Sequence, residues 1–258
     1  MMPNLDYIPL FLLVFVRLTS FFVSAPLWME RQIPAPFKWG SAFFISILVV
    51  GLMEVPQGLE LNSNYLLLIM KEVIVGLSMG FFAAILFYAV ELAGSFIDLQ
   101  SGFAMASMFN PQSSIQEPIT GRFYYILTIV FFLSINGHHI LIQGVMASFQ
   151  WIPIDSWLPS DASSNLVILA LDSIKNMFWL AFLIAAPMLG SIFLVDIALG
   201  ILAKTAPQMN LFVIGIPVKM MMHYIVIYIT LPAFFYVLGR LVNVMVQSFE
   251  HILQILGS

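Results

Sequence analysis

An all-α membrane protein of about six long, partly broken apolar helical segments is the fold class this sequence predicts. Three observations carry the prediction. Of 258 residues, 61% are hydrophobic and only 9% charged, where soluble domains carry about 25% charged residues. A water-soluble chain of this size has too little polar surface to cover so apolar an interior. The apolar residues also gather into runs near the roughly 20 residues that a membrane-crossing helix needs. Finally, prolines interrupt the last two runs: Pro187 in LIAAPMLG, Pro217 in VIGIPVK and Pro232 in YITLPAFF. Broken helices persist in lipid where neighbouring protein or a water-filled cavity satisfies the freed backbone groups.

The segments read as about 7–28, 39–54, 65–97, 123–149, 173–202 and 211–245. The first has no basic stretch ahead of its apolar run and no convincing cleavage site, so it reads as a retained helix and not a signal peptide. The second is short for a span. The third overruns a bilayer and carries Gly76, Gly80, Ala84, Phe87, Glu91, Gly94, Asp98 and Gly102 three or four residues apart, on one helical face. Gly76 and Gly80 form a small-xxx-small pair, the usual means of close helix approach in membranes. Below that pair the same stripe carries two acids, Glu91 and Asp98. They are either a packing face near the water interface, or groups facing a polar lumen or a partner's cations. Both readings require a close protein neighbour.

The fourth segment contains NGHH at 136–139. In the fifth, Asp196, Gly200 and Lys204 share a face at steps of four, and Pro207 stops the helix. An Asp followed four residues later by Gly, and then by Pro-Gln, occurs in both the third and fifth segments, a faint internal echo. Lys and Arg follow the first segment (Arg31, Lys38), the third (Arg122) and the region of the fifth loop (Lys204, Lys219). By the positive-inside rule this places the odd loops in the cytoplasm and both termini outside.

Several functions are disfavoured. With no cysteine in the chain, disulfides and thiol chemistry are excluded. Nine scattered Lys and Arg and a net charge of −4 offer no basic patch for nucleic acid. His138 and His139 point about 100° apart on a helix and lack a third ligand, and neither H-E-x-x-H nor G-x-S-x-G occurs. They read as histidines hydrogen-bonded at a helix end or in a bundle. The residues argue against an enzyme, and no cofactor is implied.

One stretch resists this scheme: GFAMASMFNPQSSIQEPITG, residues 102–121. It is neither a span nor an ordinary loop, because Met105, Met108 and Phe109 are apolar. Asn110, Pro111 and Gly121 supply turn and hinge chemistry. It is a plain connection dipping into the membrane surface, or a constriction that closes a channel; composition does not separate the two.

Arg17, SAP at 24–26, ER..PAPFK at 30–38, KE.IVGL.MG at 71–80, E.AGSFIDLQSGFAMASMFNP at 91–111, NGHH at 136–139 and APQMNLFVIGIPVK at 206–219 together closely resemble the FliR family of the flagellar type III export apparatus. The resemblance runs the length of the chain. It implies a FliP-like helical part over 1–170 and a FliQ-like helical hairpin over 171–258, packed as tilted hairpins. It implies a non-catalytic export gate built with FliP, FliQ and FlhB homologues in the bacterial inner membrane at the flagellar basal body, passing unfolded flagellar subunits. The loop 105–121 would then be the channel plug, with Met105, Met108, Phe109, Asn110, Pro111, Gln116 and Gly121. Glu91, Asp98, Asp196, Lys204 and Lys219 would be intramembrane assembly residues, and Gly76, Gly80, Gly94, Gly102 and Gly200 helix-packing positions. The competing readings are a secondary transporter built on broken helices and midplane acids, and an intramembrane enzyme using His138 and His139.

Overall fold

The computed structural model of the chain describes residues 7–257 apart from 30–32, 55, 57–58, 60–62, 104–117, 160 and 209. Among the described residues there are eight helices and no strand. Helix α1 spans Tyr7–Ser24 and α2 Pro26–Met29. The first apolar run is thus split at Ala25, because Pro26 lacks an N–H and disfavours helical geometry in the residue before it. Helix α3 covers Ala35–Leu52, with a proline in its first turn where the missing N–H costs nothing.

Helix α4, Ser63–Ser101, has 39 residues, roughly 58 Å at 1.5 Å per residue. It stops at Gly102, whose φ of +87° is the left-handed geometry glycine reaches without a Cβ penalty. Helices α5, Ile119–Ser134, and α6, Gly137–Trp151, replace the single run expected over 123–149. Asn136 takes φ 58°, which Asn tolerates better than most residues, and the pair is bent by 71° at this break.

Helices α7, Ala162–Thr205, and α8, Leu211–Gly257, are 44 and 47 residues long. Pro187 lies inside α7, and Pro217 and Pro232 inside α8. They remove single rungs without dividing the helices, so the expected interruptions there are absent and the break falls at Asn136 instead. A missing rung in a long apolar helix is re-satisfied locally. Among the described residues, five helices, α1, α3, α4, α7 and α8, are long and apolar enough to cross a membrane, and the bent α5–α6 pair makes six if counted as one span.

The chain forms two compact units, Met1–Ile85 with Ile135–Ser173 and Asn243–Ser258, and Leu86–Ser134 with Ile174–Val242. In the first unit, Phe43 of α3 meets Phe11 and Phe15 of α1 edge-on. Gly76 and Gly80 of α4 lie against α1: a Cβ at Gly76 would meet the Arg17 carbonyl and Ser20 Cβ, and one at Gly80 would meet Ser24 Oγ. In the second unit, Phe87 of α4 packs against Tyr125 and Phe132 of α5, and Tyr124 stacks on Phe234 of α8. Along its most apolar window α4 is 61% buried, against 22% for α7 and 28% for α8. So α4 supplies the cores, while α7 and α8 turn apolar side chains such as Trp179, Phe193, Tyr228 and Ile229 outward.

Candidate functional site

In the second unit, polar side chains gather around the last turns of α4. Helix α5 begins with Pro118 as its N-cap, since Arg122 N donates to Pro118 O at 2.8 Å. An N-cap side chain normally accepts from the second or third helical N–H, and proline has no group to do so. Asp98 of α4 supplies it from outside: one carboxylate oxygen accepts from Thr120 N at 2.9 Å and the other from the Thr120 hydroxyl. A carboxylate there also meets the positive end of the α5 dipole. The approach that allows this is a glycine–glycine contact. A Cβ on Gly94 would collide with Gly121 Cα and N, and would sit 2.8 Å from the Thr120 carbonyl carbon. On the other side of Thr120, its hydroxyl lies 3.3 Å from His223 Nε2 of α8, and the Phe103 ring stands edge-on to His223 at 5.0 Å.

Nearby in the same unit, Lys219 Nζ of α8 and Asp196 Oδ1 of α7 are 2.6 Å apart, and Gln100 Nε2 of α4 donates to Asp196 Oδ2 at 3.1 Å. These side chains wall a cavity of about 410 Å3 that Gly102, Gly200 and Gly215 also line. A Cβ at Gly102 or Gly200 would meet nothing within 4 Å. These two glycines, expected as helix-packing positions, border open space within this chain. The side chains of the Asp196–Lys219 pair are 34% and 21% exposed. Lys219→Ala is accordingly expected to cost about 1 kcal/mol or less, and Asp98→Ala more, because Asp98 is only 4% exposed and accepts two hydrogen bonds. Thermal unfolding of the two purified variants checks the order.

The first unit holds the most deeply buried charges. Arg17 of α1 grips Glu72 of α4 with both arms of its guanidinium, Nε on one carboxylate oxygen and Nη2 at 3.0 Å from the other. It also donates to Ser148 Oγ of α6 and Ile152 O, each at 3.1 Å, and lies 4.4 Å above the Phe149 ring. Lys71 Nζ is 3.0 Å from Glu72 and donates to the carbonyls of Pro153, Ile154 and Ser156 at 2.6, 3.1 and 3.0 Å. All three side chains are fully buried. The cluster joins α1, α4, α6 and the turn after α6.

Of the residues singled out in the sequence, Asp98, Asp196, Lys219, Gly94, Gly102 and Gly200 fall together in the second unit. Gly121, expected at the end of the plug loop, is buried in the first turn of α5. Glu91 is half-buried one turn above Gly94, and its carbonyl accepts from Ser95 Oγ at 3.1 Å. Lys204 is exposed in the last turn of α7, where a cation suits the helix dipole. Met105, Met108, Phe109, Asn110, Pro111 and Gln116 lie outside the described residues. His138 and His139 have ring centroids 4.2 Å apart. Thr120 and His223 were not foreseen, nor was the cluster of Arg17, Lys71 and Glu72; the signal for the latter was charge inside apolar runs.

Fold and site together define a polytopic helical membrane protein whose buried polar groups fasten its own helices. Residues 8–245 match the family model described as bacterial export proteins, family 1. The chain is 38% identical over 253 residues to the flagellar biosynthetic protein FliR of Bacillus subtilis (strain 168), covering 98% of each chain. It is 29% identical over 217 residues to the flagellar biosynthetic protein FliR of Escherichia coli (strain K12), covering 84% of this chain and 82% of that one. Over 154 residues it is 35% identical to the Yop proteins translocation protein T of Yersinia pestis, covering 60% and 59%. The chain belongs to this family of bacterial export proteins.

Proposed function

We propose that the chain is a non-catalytic core subunit of a flagellar type III protein export gate in the bacterial inner membrane. The observation that carries the reading is the likeness to a protein named FliR across 98% of both chains. A relative named as a translocation protein supports protein transport as the activity held in common. The physical features agree: helices α4, α7 and α8 overrun a hydrocarbon layer of about 30 Å, and α7 and α8 leave broad apolar faces uncovered, as one member of a larger assembly does. FliP, FliQ and FlhB homologues are the partners, with residues 1–170 as the FliP-like part and 171–258, within the α7–α8 pair, as the FliQ-like hairpin.

In this reading unfolded flagellar subunits pass through the assembled channel, and residues 105–121 plug it. Methionine side chains adapt to varied surfaces, and an apolar constriction excludes water and ions by dewetting. Glu91, Asp98, Asp196, Lys204 and Lys219 serve assembly, so Asp98→Ala reduces complex yield before it alters passage of subunits. The test is export of hook and filament subunits by cells that lack the chain and by cells resupplied with it. Export lost and then restored supports the gate. Undiminished export, with uptake of a small solute lost instead, overturns it in favour of a transporter.

A further inference from the structure

Thr120 stands between two buried titratable side chains, and the directions of its hydrogen bonds are fixed by what those partners offer. A carboxylate only accepts, so the Thr120 hydroxyl donates its one proton to Asp98. Its oxygen then has only lone pairs left for His223, 3.3 Å away, so His223 must donate from Nε2. The other ring nitrogen, Nδ1, is buried without a hydrogen-bond partner, which leaves it as the unprotonated, accepting nitrogen of a neutral ring. The chain of bonds therefore runs one way, from His223 Nε2–H to Thr120 Oγ–H to Asp98. It links α8, α5 and α4 within one unit. Asp98 holds the Thr120 backbone N–H at the same time, so the state of the bond chain bears directly on the first turn of α5.

We propose that Asp98, Thr120 and His223 form a latch that fastens the first turn of α5 to α4 and couples its hold to the position of α8. Linked hydrogen bonds strengthen one another in a low-dielectric interior. When His223 donates, the Thr120 hydroxyl is the better donor to Asp98; when α8 withdraws His223, the grip of Asp98 on the cap weakens. His223 is thus a positioning residue that acts through Thr120 on a carboxylate outside direct hydrogen-bond reach. The inference rests on geometry and is independent of what the chain transports.

The experiment is hydrogen exchange at the residue-120 amide of the full chain in mild detergent, because that N–H is held by Asp98 from outside its helix. Asp98→Ala is expected to speed exchange there roughly tenfold or more. His223→Phe, which keeps a ring against Phe103, is expected to speed it roughly threefold. In a Thr120→Val background, which removes the hydroxyl and keeps the amide, His223→Phe should have no effect on this amide; Thr120→Ser should restore it. Ordinary packing loss around His223 would not depend on that hydroxyl. If Asp98→Ala does not fold, Asp98→Leu, close in shape and without an acceptor for the amide, takes its place. An amide as protected in the Asp98 variant as in the parent, or a His223→Phe effect of equal size with Val at 120, overturns the latch.

Discussion

Glu72→Ala is expected to lower the unfolding free energy by about 3–5 kcal/mol, the range for stranding a buried charge. Glu72 is shared by two fully buried cations, Arg17 and Lys71. Deleting it leaves Arg17 with a hydroxyl, a single carbonyl and the Phe149 ring, and leaves Lys71 hydrogen-bonded to three carbonyls. Arg17 and Lys71 are then left buried together without the carboxylate that both of them contact. Lys71→Ala should be milder, because a bidentate Arg17–Glu72 pair survives and the orphaned groups are neutral carbonyls. Unfolding of the purified chain in detergent, by heat or by titrated denaturing detergent, reads the order. Equal losses for the two variants would mean that packing, and not charge balance, sets the stability of this cluster.

The second large effect is a sign reversal. Gly94→Ala adds a single methyl group inside α4, about two turns from its end, where helix propensity alone would stabilise by about 1 kcal/mol. The added Cβ would land on backbone atoms of Gly121 and Thr120, which cannot rotate away as a side-chain tip can. Overpacking of this kind costs about 1–3 kcal/mol, and forcing α5 outward also stretches the bonds from Thr120 to Asp98. Net destabilisation is therefore expected. At Gly200 the same substitution meets open space, so Gly200→Ala should be neutral or stabilising. Parallel melts of the two variants decide the matter: stabilisation by both would show that α4 and α5 have room to spare at this contact.

The helical class and the apolar segments were legible because a run of apolar residues leaves few alternatives in lipid. The sharp break inside 123–149 was not. Nothing in the hydropathy of 123–149 marks a break, and only the Asn136-Gly137 pair, a turn-forming dipeptide, hinted at one. Prolines misled in the opposite direction, since a long helix absorbs a missing rung where a turn needs positive φ. Spacing of three or four correctly put Gly94 and Asp98 on one face of α4, but it could not say which neighbour they would meet. That neighbour is the start of α5, which places Gly121 and Thr120 against the stripe. His223 was invisible for the same reason: it lies 103 residues from Thr120, and neither position announces the other. The spacing of four put Gly200 on one face with Asp196, and within this chain that face borders the cavity, a neighbourhood that spacing alone does not reveal.

The proposed membership of an export-gate core is decided by the native mass of the chain in mild detergent, expressed alone and then together with the FliP and FliQ homologues proposed as its partners. A defined, much larger complex that appears only with both proposed partners is the expected result. A stable, homogeneous species that forms alone and ignores both partners would contradict it and return the transporter reading to first place.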